Sequence, residues 1–179
     1  AGLGATHPTT ARAEELFAIL LSSRGEFGRA AELYARSLKT FRAAYGDLHS
    51  VTFRTLRNQI SFARRRGDEA AVGAGNRLIL NLAHQALAEP HLDPVLTSDL
   101  AYFAASCEPA AMREPALAVA LAERAVAATA RKWTDALSTL ALAYDRSGEP
   151  ERAIAVMHEA FENPDSWLAS GFARRMHLL

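Results

Sequence analysis

The chain has 179 residues, enough for one domain with a substantial core, and half of them are hydrophobic. Its 20 basic and 20 acidic residues cancel, so net charge gives no reason to expect binding to nucleic acid or to an anionic membrane. Cys107 is the single cysteine, which excludes an intrachain disulfide and favours a reducing, cytoplasmic compartment. No apolar run approaches the ~20 residues that span a bilayer, so no membrane insertion is expected.

A short motif recurs at a fixed spacing of 42 residues. Gly4, His7 and Thr10 return as Gly46, His49 and Thr52, and Gly25 returns as Gly67. Several matches at one period indicate an internal repeat. Because the chain starts at Ala1 rather than Met, we expect it to be a piece of a longer protein or a processed product.

The first two helix pairs are predicted at residues 8–45 and 50–89. Apolar residues spaced by threes and fours indicate amphipathic helices; in the first pair they are Leu16, Phe17, Leu20 and Leu21, then Phe27, Ala30, Tyr34, Leu38 and Phe41. Gly25 and Gly67 each separate two helices and suit a left-handed turn. Gly73 and Gly75 fall inside a predicted helix, which indicates a loosened turn or a close helix contact.

Two further pairs are predicted at residues 93–129 and 131–163, followed by a capping helix at 165–177. Asp93 and Pro94 suit the N-cap and first turn of one helix, and Pro115 the start of the next. The last segment carries apolar residues at helical spacing, namely Trp167, Leu168, Phe172 and Met176. Since no long stretch alternates with period two, the fold class predicted is all-α.

These residues resemble the tetratricopeptide-repeat family. The family's Leu-Gly, Tyr, Gly, Tyr, Ala and Ala pattern is matched by Leu140-Ala141, Tyr144, Gly148, Pro150, Ala153 and Ala160, with Ala141 and Pro150 as departures. The 42-residue spacing with Gly-x-x-His-Pro-x-Thr is similar to the longer repeats of kinesin light chains and their bacterial relatives. The second half resembles a segment of bacterial multidomain proteins, some of which carry a serine/threonine kinase.

The resemblance implies a right-handed α-solenoid over residues 1–179, built of four helix pairs and the capping helix. It also implies a concave groove lined by the first helix of each pair, which binds a peptide or a partner's surface. In the family's frame, the groove-facing positions of the second pair are Arg54, Arg57, Asn58, Ser61, Arg64 and Arg65. Asn58 stands where kinesin-light-chain-like repeats place an asparagine that contacts the backbone of bound peptide.

The arginines at these positions allow two interpretations. Arginine forks suit carboxylates, so one interpretation is a site for an acidic peptide or a terminal carboxylate. The other is a solvated face with local ion pairs, because Leu16, Leu100 and Thr139 replace the asparagine in the other pairs. The sequence alone leaves both interpretations open.

Other residues offer no pattern for chemistry. His7, His49 and His91 recur one repeat apart, on the order of 10 Å in a stack of helices, which is too far for shared metal ligation and favours loop or cap roles. Cys107 is interpreted as an unreactive residue that packs in the core. No nucleophile–base pair, carboxylate pair or metal set can be assembled, so we expect no catalysis and no cofactor.

The function expected is non-enzymatic protein–protein interaction or scaffolding. One alternative is a regulatory or sensory arm of a bacterial multidomain enzyme such as a serine/threonine kinase. Another is self-assembly through exposed repeat ends, which would give a homo-oligomer.

Overall fold

The computed structural model describes residue 4 and residues 6–162, and these residues form helices joined by turns, with no strand among them. The predicted all-α class is therefore confirmed over this part of the chain. The α-helices are α1 (Pro8–Ser23), α2 (Phe27–Tyr45), α3 (Ser50–Arg65), α4 (Glu69–Ala88), α5 (Pro94–Ser106), α6 (Pro115–Ala128), α7 (Thr134–Arg146) and α8 (Pro150–Glu162). The predicted capping helix at 165–177 lies outside the described residues.

The recurring Gly-His-Thr motif forms the start of a helix. His7 and His49 are the N-caps of α1 and α3, and each ring Nδ1 accepts a hydrogen bond from the backbone N–H two residues on. The hydroxyl of Thr52 donates to the carbonyl of Gly46 at 2.8 Å, and Thr10 donates to Gly4 at 3.1 Å. The 42-residue period therefore repeats a capping structure, which satisfies donors that a helix N-terminus leaves without partners. The expected cap role is confirmed for these two histidines.

Glycines end the first helix of three pairs. Gly25, Gly67 and Gly148 have φ angles of 78°, 70° and 81°, in the left-handed region that a side chain disfavours. After Gly25 and Gly67 the chain reverses, and backbone N–H groups of the turn donate to carbonyls of the preceding helix. The sequence prediction of these turns is confirmed, and so is that of Asp93, whose side chain caps α5 by accepting from the N–H of Val95.

The chain divides into two compact units, Ala1–Ile79 and Leu80–Leu179, and passes from one to the other within α4. In the first unit α1 packs against α2, and α2 against α3. One cluster of its core joins Ala18 and Leu21 of α1, Ala30 and Tyr34 of α2, and Phe62 of α3. The Tyr34 and Phe62 rings lie 5.2 Å apart between centroids, so an aromatic contact joins the second helix of one pair to the first helix of the next.

The second unit packs through small residues. In this unit α5 packs against α6 and α7, α6 against α7, and α7 against α8. Fully buried alanines let these helices approach closely; they include Ala101, Ala104, Ala118, Ala122 and Ala125. Leu121 and Leu137 are also fully buried between them. Arg124 of α6 donates to the carbonyl of Ala86 at 2.7 Å and so supplies a partner at the C-terminal end of α4.

Of the apolar stripe predicted for α1, Leu21 lies in the core, at 3% exposed, and the other three residues do not. Leu16, Phe17 and Leu20 are 53%, 45% and 46% exposed. The row that faces α2 and α3 is instead Ala11, Glu15, Ala18 and Ser22, at spacings of four and three. Helical periodicity correctly indicates an apolar stripe on α1, but it does not indicate which side of the helix packs against another helix.

Candidate functional site

The predicted peptide-facing residues lie on α3, whose opposite side is anchored in the first unit. Phe53, Leu56, Ile60 and Ala63 are buried on one side of this helix. Arg54, Arg57, Ser61, Arg64 and Arg65 are exposed, and Asn58 is half-buried. At 100° per residue all six fall on one side of the helix, and we refer to this set of six as the arginine face.

Asn58 is engaged inside the protein. Its Nδ2 donates to Oε1 of Glu15 at 3.0 Å, and the hydroxyl of Thr55 donates to the same oxygen at 3.0 Å. Arg12 forms an ion pair with the other carboxylate oxygen. The described contact of Asn58 therefore joins α3 to α1 and leaves this amide N–H unavailable for a ligand while Glu15 is in place.

Glu15 is a residue of this site that the sequence analysis did not single out. Its side chain is fully buried. A signal was present, because Glu15 lies in the row of Ala11, Ala18 and Ser22, where small side chains mark close helix packing. A carboxylate in such a row needs several donors, and Arg12, Thr55 and Asn58 supply them.

The second unit has a similar polar contact between two first helices. Thr139 lies as far before Gly148 in the chain as Asn58 lies before Gly67. The two residues therefore hold equivalent positions in α7 and α3. The hydroxyl of Ser98 in α5 donates to Oγ1 of Thr139 at 3.2 Å, and both side chains are buried. In each unit this position therefore makes a buried polar contact with the preceding first helix.

The arginines of the arginine face differ in their partners. Arg65 hydrogen-bonds the Tyr34 hydroxyl; burial raises the pKa of Tyr34 and the nearby cation partly offsets that rise. Arg57 is exposed and lies over the Phe53 ring, 5.7 Å from its centroid, in a cation–π contact. Within the described part of the chain, Arg54, Arg57 and Arg64 have no carboxylate within ion-pair distance.

Cations on the neighbouring helix α2 are treated differently. Arg29, Arg36 and Arg42 form ion pairs with Glu26, Glu14 and Asp47, at 2.8, 2.7 and 2.6 Å. Three of the four cations of α2 are thus paired locally, whereas within the described residues no carboxylate pairs with Arg54, Arg57 or Arg64.

A second polar cluster joins α6, α7 and α8 and consists of Glu123, Tyr144, Glu149 and Arg152. The Tyr144 hydroxyl donates to Oε1 of Glu123 at 2.6 Å, and the Arg152 guanidinium lies 3.9 Å above the Tyr144 ring. Arg152 also donates to Glu149 at 2.6 Å. Burial, assisted by the hydrogen bond to Glu123, raises the pKa of Tyr144 to about 12. The hydroxyl therefore stays protonated, which suits a structural contact between helices rather than a nucleophile.

We expect one of the four tyrosines to titrate near pH 12 in the folded protein and that component to disappear in Tyr144→Phe. Because folding raises this pKa above its ordinary value of 10.0, the stabilisation by Tyr144 is complete below pH 10 and is lost between pH 10 and about 12. Absorbance at alkaline pH measures the titration, and unfolding at each pH measures the stability. A tyrosine titration without a late component would contradict the hydrogen bond between Tyr144 and Glu123.

The residues that the structure describes form no candidate metal site and no candidate cysteine nucleophile. No three His, Cys, Asp or Glu side chains there are grouped to hold a metal ion. Cys107 is buried, and burial raises the pKa of its thiol, which makes it a poor nucleophile. No helix in the described part is long and apolar enough to cross a membrane.

Comparisons with known proteins add no identification. No protein-family model matches this chain, and no curated protein matches it significantly.

Proposed function

We propose that this chain is a non-enzymatic interaction domain of tetratricopeptide-like helix pairs, stacked as a right-handed solenoid. We infer that it binds an acidic segment of a partner protein along the arginine face. Support for the repeat architecture comes from the helix pairs themselves, with their left-handed glycine turns and repeated histidine caps.

The observation that carries the proposal is that Arg54, Arg57 and Arg64 have no ion-pair partner among residues 6–162. Arg54 and Arg57 are three residues apart, and like charges at this spacing on one helix repel each other and destabilise it. Arg64 lies in the last turn of α3, where the helix dipole favours a cation. Arg54 and Arg57 lie nearer the N-terminus, where the dipole gives no such benefit. An acidic ligand would compensate these two charges.

The spacing of the arginines defines the ligand they fit. Arg57 and Arg64 are seven residues apart, which is about 10 Å along a helix. In a peptide with polyproline II conformation, side chains three residues apart lie on the same face and are separated by about 9 Å. We therefore propose a ligand segment with carboxylates at every third position, each received by an arginine fork.

A labelled peptide tests this geometry. The probe is a 12-residue peptide with glutamate at every third position and serine elsewhere, and its binding is followed by fluorescence anisotropy at low salt. We expect the double variant Arg57→Glu with Arg64→Glu to bind this peptide at least about tenfold more weakly, a loss of about 1.4 kcal/mol or more. The same peptide with glutamine in place of glutamate is expected not to bind.

The matched control changes the net charge equally on α2. Arg29 and Lys39 are exposed there, and both are replaced by glutamate. We expect this control to retain most of the affinity, because it leaves the arginine face intact. An equal loss in both double variants would mean that the peptide responds to overall charge, and the arginine face would then not be the site.

A further inference from the structure

An apolar groove of about 420 Å³ lies between α7 and α8 in the second unit. Its lining includes Ala141 and Leu142 from α7, and Ile154, Met157 and Phe161 from α8. Ile154 is 59% exposed and Phe161 is 37% exposed. A surface of this kind is a candidate docking site if the occupant can be identified.

The first helix pair contains the same groove in an occupied form. Aligning Gly25 with Gly148 relates the two pairs by a shift of 123 residues. Under this shift Ala18, Ala30 and Tyr34 correspond to the groove residues Ala141, Ala153 and Met157. In the first pair these positions hold α3, through the Phe62 ring in the Ala18–Tyr34 cluster. The α7–α8 groove is therefore built to receive a helix that presents a face like that of α3.

The chain carries such a face a second time, on α1. The side chains of α3 that contact the first pair include Asn58, Gln59 and Phe62. A shift of 42 residues relates them to Leu16, Phe17 and Leu20, which are the exposed apolar residues of α1. The exposed stripe of α1 is thus the surface that in α3 packs on a preceding helix pair.

Apart from Asp145 and His158, which also line the groove, the two surfaces match in polarity. Asn58 of α3 faces the buried carboxylate of Glu15. In the proposed contact the corresponding residues are Leu16 and Ser138, whose hydroxyl already donates to the carbonyl of Thr134 at 2.9 Å. An apolar side chain can cover Ser138 without leaving a charge unpaired, whereas it would cost far more over a carboxylate.

We propose that α1 of one copy of this chain docks in the α7–α8 groove of a second copy, in a head-to-tail contact that repeats the packing of α3 on the first pair. Leu20 then lies against Met157 of the other copy, as Phe62 lies against Tyr34. Because two different surfaces meet, the contact is heterologous, and the dimer retains one free groove on one copy and one free stripe on the other for further addition.

Two single variants of the full chain test the head-to-tail geometry. Leu20→Glu disables the α1 stripe, and Ile154→Glu disables the groove; both positions are exposed, so both variants are expected to fold. In sedimentation equilibrium the unaltered chain is expected to show an average mass that rises above 19.4 kDa with concentration. Each variant alone is expected to remain at the monomer mass.

An equimolar mixture of the two variants is the decisive sample. It contains one intact stripe and one intact groove, so we expect a dimer that adds no third copy. A contact between two α1 stripes would instead leave Ile154→Glu self-associating and the mixture no larger than its parts, which would overturn the proposal. An unaltered chain that stays monomeric up to ~1 mM would also overturn it, including the case in which residues 163–179 fill the groove of their own chain.

Arg57→Glu with Arg64→Glu is expected to leave the mass unchanged, so this test stands apart from peptide binding.

Discussion

Gly75→Ala is expected to lower the free energy of unfolding by about 1–2 kcal/mol, although alanine is the better helix former by about 1 kcal/mol. A Cβ at Gly75 would lie 2.5 Å from Cγ1 and 3.1 Å from Cδ1 of Ile60. Ile60 is buried in α3 and its Cγ1 lies close to the backbone, so a Cβ at Gly75 requires the Ile60 side chain or one of the helices to shift. The packing of α4 against Ile60 at this point therefore depends on the missing side chain.

Gly73→Ala in the same helix is the matched control. A Cβ at Gly73 would meet only the Arg77 guanidinium, at 3.5 Å, which is an ordinary contact with a flexible side chain. We expect this variant to raise the free energy of unfolding by up to about 1 kcal/mol, so the two glycine variants should differ in sign. Chemical denaturation measures both values. Equal shifts in the same direction would mean that Ile60 does not pack on Gly75.

A double-mutant cycle identifies the contact itself. Ile60→Ala alone is expected to cost about 2–5 kcal/mol because it leaves a cavity. Combined with Gly75→Ala it should cost less than the sum of the two single variants, since the new methyl group then has space. Additive effects would place the strain of Gly75→Ala elsewhere.

Local signals were sufficient to predict much of the fold from sequence. A glycine between two amphipathic segments, as at Gly25, has a specific backbone requirement that few other residues meet. Asp93 before Pro94 likewise defines the start of α5. These features depend on a few adjacent residues, so they can be read without knowing which helices pack together.

Features that depend on packing between helices could not be read in this way. The two glycines of α4 look alike in sequence, yet only Gly75 lies against Ile60. Leu16 looks like a core residue and is exposed, whereas Glu15 beside it looks like a surface residue and is buried. The environment of each of these residues depends on a neighbour that is tens of residues away in the chain. The spacing of residues within one helix therefore does not predict it.

The same distinction between local features and features that depend on helix packing applies to the candidate site. The exposure of Arg54, Arg57 and Arg64 follows from the helical period of α3, which the sequence already displays. The engagement of Asn58 depends on Glu15, which is 43 residues earlier in the chain. A family-based position for Asn58 therefore did not reveal its partner within the chain.

Glu15→Ala is expected to lower the free energy of unfolding by about 2–4 kcal/mol. It removes the acceptor for the Asn58 amide, breaks the ion pair with Arg12 and leaves a cavity between α1 and α3. Thr55 keeps a partner, because its hydroxyl also donates to the carbonyl of Val51 at 3.0 Å. The unpaired amide and the cavity therefore account for most of the expected loss.

Two further variants separate the carboxylate at Glu15 from charge in general. Glu15→Gln keeps the volume and one carbonyl acceptor, so we expect it to cost less than Glu15→Ala, by about 1–2 kcal/mol. Glu26→Ala removes an exposed ion pair with Arg29 and is expected to change stability by less than about 0.5 kcal/mol. Denaturant unfolding of the three variants should give that order. If Glu15→Ala were as stable as Glu26→Ala, α3 could not be held on α1 by a buried carboxylate, and the half-buried amide of Asn58 would be free for a ligand.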